Sequence, residues 1–234
     1  MPLKLDLHSH SFFSCDGISS PEEMIAAAKS KGLDGLAITD HDNSDSVDYL
    51  LERGLMRKDG LPVDGFLLVP GVEVSTAEGH LLCLGARLSG DLKGVSAAEV
   101  CRLIHEVNGL AVPSHPFDRF RAGIREDVLE TLPIDALEVF NAATTLDRHN
   151  RKALHYAKRK RIGMIASSDA HHADAIGTAY TILETEELSL ASVLTHLPTS
   201  HLTVEKYQGF RASLKKAFAN VRRLARRHRK HDPE

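Results

Sequence analysis

His8-Ser9-His10 sets two imidazoles two positions apart, and Asp169-Ala170-His171 repeats that spacing with a carboxylate in the first place. Both pairs follow short apolar runs that read as β-strands, and strand side chains two apart share a face. Each pair can therefore aim two ligand atoms at one point. Asp40-His41, Glu73, His80 and His115 stand at the edges of other apolar runs. Six histidines with several carboxylates suit Zn, Mn or Fe better than Ca or a thiolate-bound structural zinc. The chemistry indicated is hydrolysis with more than one metal ion.

Strand-like runs alternating with helical stretches must position these residues. Leu3-Lys4-Leu5-Asp6-Leu7 reads as a first strand ending at the HxH. Ser20-Pro21-Glu22-Glu23 is a helix start, with a serine cap, proline in the first position and acids in the first turn. That helix stops near Gly32. Further strands are expected at 36–39, 66–74, 80–84, 110–113, 136–140, 163–166 and 177–183, with a short one at 201–204. Helices are expected at 47–56, 96–107, 146–161 and 189–197. At least six strand–helix repeats place their polar residues after the strand, never before it. That layout predicts a barrel with its site at the C-terminal ends of the strands. A doubly wound sheet would concentrate ligands at one or two crossover points instead.

The 234 residues suit one domain, 42% hydrophobic and 26% charged, the make-up of a soluble globule. Cys15, Cys83 and Cys101 are odd in number and lack CxxC spacing, which argues against a disulfide scaffold or a zinc ribbon and fits a reducing compartment. No apolar leader or membrane span is evident, so a cytoplasmic location is expected. The net charge of −3 is uneven. Residues 211–234 hold nine Lys/Arg against two Asp/Glu, a local +7 that leaves −10 for the rest. One domain is expected, a body at 1–210 that is followed by a basic C-terminal helix or tail at 211–234. The helix has apolar residues at 214, 217, 218, 221, 224 and 225. Its basic face is either simply solvated or a weak contact for nucleic acid.

The run Asp6-Leu7-His8-Ser9-His10-Ser11, with Ser14-Cys15-Asp16-Gly17 just after it, resembles the opening of the polymerase and histidinol phosphatase (PHP) superfamily. The resemblance continues through Ala37-Ile38-Thr39-Asp40-His41-Asp42 and Pro70-Gly71-Val72-Glu73-Val74. It then takes in His80-Leu81-Leu82, Ser114-His115-Pro116 and Ser167-Ser168-Asp169-Ala170-His171, in family order. It implies an α/β fold, a distorted (β/α)7 TIM-like barrel with two or three divalent ions (Mn, Zn or Fe) used for phosphoester hydrolysis. Carried over by residue, His8, His10, Glu73 and Asp169 hold one metal. Glu73 bridges to a second, completed by His80 and His115, and Asp16, His41 and His171 hold a third. Some family members have histidine where Asp16 stands. Several nucleotide-processing relatives insert a cap domain between the equivalents of His80 and His115. Here only 34 residues separate the two, so a more open pocket, or one covered by a partner subunit, is expected.

Such a site is expected to hydrolyse a phosphomonoester (a nucleotide, histidinol phosphate or an oligonucleotide end) with a metal-bridging hydroxide as nucleophile. The catalytic set is then Asp40, His41, Glu73 and Asp169, with Asp40 placed to orient an imidazole or shuttle a proton. Arg119 and Arg121 are the nearest cations in sequence for gripping a phosphate, Arg148 is a second candidate, and Asn141 at a strand end could touch ligand or substrate. The expected partner is a phosphorylated small molecule, a nucleotide or a short nucleic acid, with no membrane. Two other classes stay open. Amidohydrolases also place HxH after a first barrel strand, but their metal-bridging lysine has no evident counterpart. A non-catalytic PHP scaffold for a nucleic-acid enzyme would be expected to lose ligands, whereas all nine positions here keep metal-binding side chains.

Overall fold

The computed structural model describes residues 1–144 and 146–204, so the basic segment expected at 211–234 and the boundary at 210 lie outside the described residues. Three parallel strands form its middle: β1 (Leu3–Asp6), β2 (Gly35–Ile38) and β3 (Leu67–Ser75). Beyond β3 the sheet continues antiparallel through β4 (His80–Leu84) and β5 (Leu110–Pro113). A parallel pair, β6 (Ala136–Asn141) and β7 (Gly163–Ser167), follows in the chain. On the far side of β1 lie β8 (Tyr180–Leu183) and β9 (Leu202–Val204), both antiparallel to their neighbours.

The large sheet has the order β5-β4-β3-β2-β1-β8-β9, and β6–β7 spans its two ends, with β6 beside β5 and β7 beside β8. Asp135 N–H bonds Ala111 O at 3.0 Å, and the Thr181 hydroxyl joins both backbone groups of Ala166 at 3.1 Å. The expected barrel is met in its curl and its α/β layering. Its regular parallel repeats are not, because four of the strand pairings are antiparallel.

This mixed topology corrects the expectation that polar residues only follow strands. His80 is the first residue of β4, paired with Ser75 at the end of β3. Because β4 runs backwards, its start lies at the same end of the sheet as the C-terminal ends of β1, β2 and β3. Glu73 lies within β3, whose last turns of chain extend past its parallel neighbours.

The helices α1 (Pro21–Ser30), α2 (Asp45–Glu52), α3 (Ala97–Glu106), α4 (Glu126–Leu129), α5 (Asp147–Lys160) and α6 (Leu190–His196) pack outside the sheet. The first starts as its sequence directs. Ser20 Oγ accepts Glu23 N–H, and the Glu23 carboxylate accepts Ser20 N–H at 2.8 Å. Alternation along β4 sends Leu82 and Leu84 inward to Leu5, Leu7, Val112 and Ile165. Leu81 and Cys83 face outward to Val100 and Ile104 of α3 and are part of the same cluster as Tyr156 of α5. Apolar cover on both faces explains why the strands read as continuous apolar runs. The strand expected from 177 begins only at Tyr180, because Gly177 turns with φ +68° and gives its N–H to Asp6. Among the described residues no helix is long and apolar enough to cross a membrane.

Candidate metal centre

Chain extensions beyond the strands carry most of the site. Past β1, Ser9 pairs with Ala170 past β7, so HxH and DxH lie side by side. His10 N–H bonds Ala170 O at 2.7 Å, and Asp169 N–H bonds His8 O at 2.9 Å. Past β2, His41 pairs with Glu73. His115 follows β5, and the loop carrying Asp16 is tied down by Ile18 N–H to His171 O at 3.0 Å. His115 (φ 33°) and Asp169 (φ 48°) both sit in the left-handed region that non-glycine residues avoid. Such positions persist only where surrounding contacts over-determine them.

All nine expected ligand positions converge. Glu73 Oε2 has His8 Nε2 and His10 Nε2 at 3.2 Å and His41 Nδ1 at 3.3 Å. Its other oxygen has His115 Nε2 at 3.1 Å and His80 Nδ1 at 3.2 Å. Asp169 Oδ1 lies 3.7 Å from His8 Nε2 and 3.4 Å from His10 Nε2. His171 Nε2 meets Asp16 Oδ2 at 2.8 Å, with His41 Nε2 4.0 Å from the other Asp16 oxygen. Three groups offer ligand atoms within 4.8 Å of one another: His8/His10/Glu73, His41/Glu73/His80 and His10/Asp16/His41/His171.

Glu73 Oε2 tests whether these residues fit a metal. It is buried beside three imidazole nitrogens, yet meets the geometry of a hydrogen bond with none of them. A buried carboxylate oxygen left in this state is what a shared cation would satisfy. The donor set of imidazole and carboxylate fits Zn, Mn or Fe.

The protonation pattern has a definite cause at each group. Burial works against the imidazolium of His8 and His10, but the Asp169 and Glu73 carboxylates outweigh it. His8 is held well above its ordinary value, and His10 is raised to about 9. At His41 burial wins over Glu73 and lowers the group to about 4. Glu73 and Asp169 are buried too, which alone would raise them. The imidazoles, and for Asp169 first the Arg121 guanidinium, hold both well below the usual carboxylate range.

A layer of partners fixes the ligands from behind. Glu138, wholly buried in β6, holds His8 Nδ1 at 3.0 Å and accepts His115 N–H at 2.6 Å and the Asn141 amide at 2.9 Å. The same Asn141 amide donates to Asp169 Oδ2 at 2.9 Å, and Ser114 Oγ donates to Glu73. Asp40 accepts from Ser11 N–H, Ser11 Oγ and Ser14 N–H. Ser14 Oγ in turn lies 3.2 Å from His10 Nδ1 and accepts His41 N–H. Asp40 therefore shapes the loop under His10, and its carboxylate is taken up there.

Of the residues expected at substrate, Arg121 reaches the centre, 2.5 Å from Asp169 Oδ2 and 3.1 Å from Asn141 Oδ1. Asn141 is wholly buried behind the ligands. Arg119 lines a neighbouring cleft, and Arg148 is an exposed residue of α5 whose Nε lies 3.5 Å from His149. Glu138 and Ser114 were not singled out by sequence reasoning. Glu138 had a signal: a lone carboxylate inside an apolar strand must find partners, since burying it alone costs too much.

Against known proteins, a family model described as PHP-associated matches residues 147–198. An uncharacterised protein of Methanocaldococcus jannaschii is 31% identical over 151 residues, 60% of this chain and 82% of that protein. A 5'-3' exoribonuclease of Salmonella typhimurium is 40% identical over 76 residues, 32% of this chain but only 24% of that enzyme. Among solved structures, a two-domain protein of Bacteroides vulgatus containing a predicted PHP-like metal-dependent phosphoesterase superposes with TM-score 0.69 at 21% identity, over 94% of this chain and 70% of that one. A lesion-specific endonuclease of Pyrococcus furiosus gives TM-score 0.67 at 20% identity, over 87% of this chain and 57% of that one. The ordered motifs, the curled α/β fold and these likenesses agree: the chain belongs to the PHP superfamily.

Proposed function

We propose that this chain is a metal-dependent phosphoesterase that hydrolyses a phosphomonoester, on a nucleotide or at the end of a short nucleic acid. The observation that carries the reading is Glu73, whose two buried oxygens face five imidazoles between them. Such a carboxylate would be shared between two cations. His8, His10, Glu73 and Asp169 would hold one, Glu73, His80 and His115 a second, and Asp16, His41 and His171 a third. Bound divalent ions supply charge neutralisation at the phosphoryl group and a lowered pKa for water.

The protein's own residues do the rest. Glu73 and Asp169 stay ionised across the working pH range, and His41 stays neutral, so each is ready to ligate. Arg121 is held by Asp169 and Asn141 with part of its side chain still exposed, which leaves donors for a phosphate oxygen. The relatives named as an exoribonuclease and a lesion-specific endonuclease support a nucleic-acid or nucleotide ester over other phosphates.

Chelator-stripped protein re-supplied with Mn, Zn or Fe should release phosphate from an aryl phosphate or a nucleotide. His8→Ala should bind less metal and lose on the order of 10³-fold in rate, the equivalent of several kcal/mol at 1.36 kcal/mol per decade. Near-normal turnover by His8→Ala, with its metal content measured, would remove that residue from the centre. Silence of the fully loaded wild type on every ester would reject the phosphoesterase reading.

A further inference from the structure

The buried face of α5 is His149, Asn150, Ala153, Tyr156 and Ala157. Ala153, Tyr156 and Ala157 pack in the core, as a buried helix face should. The two polar residues stand in the first turn, at the end nearest the metal centre, and the chemistry above makes no use of them. We propose that His149 and Asn150 are positioning residues for Arg121, fixing from two sides the guanidinium that receives the ester phosphate. The proposal rests on the phosphoesterase reading above and deepens it.

Asn150 acts on the guanidinium side. Its Oδ1 accepts Asn141 N–H at 3.2 Å, and its amide donates to Asn141 O at 3.2 Å. One side chain thus holds both backbone groups of the last residue of β6. Asn141 in turn presents Oδ1 to Arg121 at 3.1 Å. Its amide donates to Asp169 Oδ2 at 2.9 Å, the same oxygen that meets Arg121 at 2.5 Å. Asn150 therefore fixes the acceptors to which the guanidinium is tied.

His149 acts on the backbone side of the same arginine. Asp118 is wholly buried, and among the described residues His149 is the one basic group in ion-pair range of it, with Nδ1 3.5 Å from Oδ1. Taking the partner from a buried carboxylate is strongly unfavourable. Arg148 Nε–H faces His149 Nε2 at 3.5 Å, which makes Nε2 the acceptor and leaves the ring proton on Nδ1, toward Asp118. Asp118 is the hub of the loop after β5. Its N–H bonds His115 O at 3.2 Å, and its carbonyl accepts Arg121 N–H at 3.1 Å and Gly123 N–H at 2.8 Å. The adjoining Phe117 is gripped by α5 as well, its ring 5.9 Å from that of Tyr156 and 4.4 Å from Lys152 Nζ. The loop needs this hold, because His115, Phe117 and Ala122 have φ of 33°, 69° and 54°.

The test is a double-mutant cycle on the metal-loaded full chain. It measures kcat/KM for an aryl phosphate or adenosine 5'-monophosphate, whichever turns over faster, and metal affinity by chelator competition. Arg121→Ala sets the reference. His149→Ala should lower kcat/KM by ~10-fold in the wild-type background and by less than ~2-fold where Arg121 is already alanine, with metal affinity unchanged. His149→Asn, whose amide can stand where Nδ1–H stood, should recover most of the loss. Asn150→Ala should show the same dependence on Arg121, and it decides alone if His149→Ala does not fold. Equal losses in both backgrounds would overturn the inference, since a merely structural role lowers the rate whether or not the arginine is present. Full activity of Arg121→Ala, in a protein whose wild type turns over, would overturn it and leave the phosphoesterase reading standing. A metal-loaded wild type silent on every ester rejects that reading, and the inference falls with it.

Discussion

The candidate metal centre has two halves that differ in how they are held. His8, His10, Glu73 and Asp169 are almost wholly buried, and each has a protein partner behind it: Glu138 for His8, Ser14 for His10, Ser114 for Glu73, Asn141 and Arg121 for Asp169. The rim residues Asp16, His41 and His80 keep 26%, 17% and 20% of their side chains exposed. Charge divides them in the same way. In the buried half, carboxylates raise His10 to about 9, while on the rim His41 is lowered to about 4. A cation entering the buried half must displace protons, whereas His41 meets one already neutral. On the proposed reading, cations would bind the deep half in a pH-dependent way and exchange more readily at the rim.

The largest effect that would break this contrast lies below the deep half, at Asp6. Its carboxylate accepts Ser168 N–H at 3.0 Å and Gly177 N–H at 2.8 Å, tying the DxH loop to β1. Burial raises its pKa from 3.8 to about 6 despite those bonds. A carboxyl with a raised folded-state pKa contributes stability fully below about 3.8 and loses it as pH rises through about 6. The span corresponds to ~3 kcal/mol at 1.36 kcal/mol per pH unit. Asp6→Asn replaces one acceptor by a donor facing a backbone N–H and should destabilise the protein. The wild type's advantage in urea unfolding should shrink by ~3 kcal/mol between pH 4 and pH 7. An advantage that stays flat over that range would show that the deep half tolerates an ordinary buried charge.

Glu138→Gln sharpens the comparison at the next level. Its carboxylate fixes the His8 ring while also holding His115 N–H and Asn141, so the change disturbs His8 and His115 and, through Asn141, the Arg121–Asp169 pair. Loss of a group that orients a metal-bound histidine costs ~10–100-fold in metal affinity. Competition against a chromogenic chelator would read it directly. An unchanged affinity would mean that burial alone, without Glu138, orients the deep ligands.

Much of this site was legible in the sequence because its ligands come in short spaced motifs at strand ends, and strand alternation says which residues share a face. The side chains in HxH and DxH met as that rule requires. What could not be read was long-range. Glu138 acts on His8 across 130 residues of chain, and only folding shows that the two are neighbours. The reversal of β4 was likewise invisible, since a five-residue apolar run has the same pattern in either direction. It is this reversal that lets His80 start a strand and still reach Glu73. The arginines divided for a local reason: Arg119 and Arg121 are two apart in a 3₁₀ turn, where three residues make one turn, so they cannot face the same way.

The smallest predicted effect is at the rim and tests the contrast most directly. Asp16 contacts His171 at 2.8 Å and is partly exposed, and its carboxyl is held low, against burial, by His171 and then by His10 and His41. Asp16→Asn keeps the side-chain size and removes the charge, so His171 and His41 lose their carboxylate, while the deep half keeps its hydrogen-bond partners and only His10 loses a nearby charge. Metal titration should then show the deep half filling as before, with affinity that still tightens tenfold per pH unit for each proton displaced up to about pH 9. The weakest site alone should lose affinity, by ~10-fold, on the scale of one charged contact in partly wet surroundings. If Asp16→Asn weakens all sites together, the two halves are one coupled cluster bridged through Glu73. In that case the shared carboxylate, rather than burial, sets how tightly the metals are held.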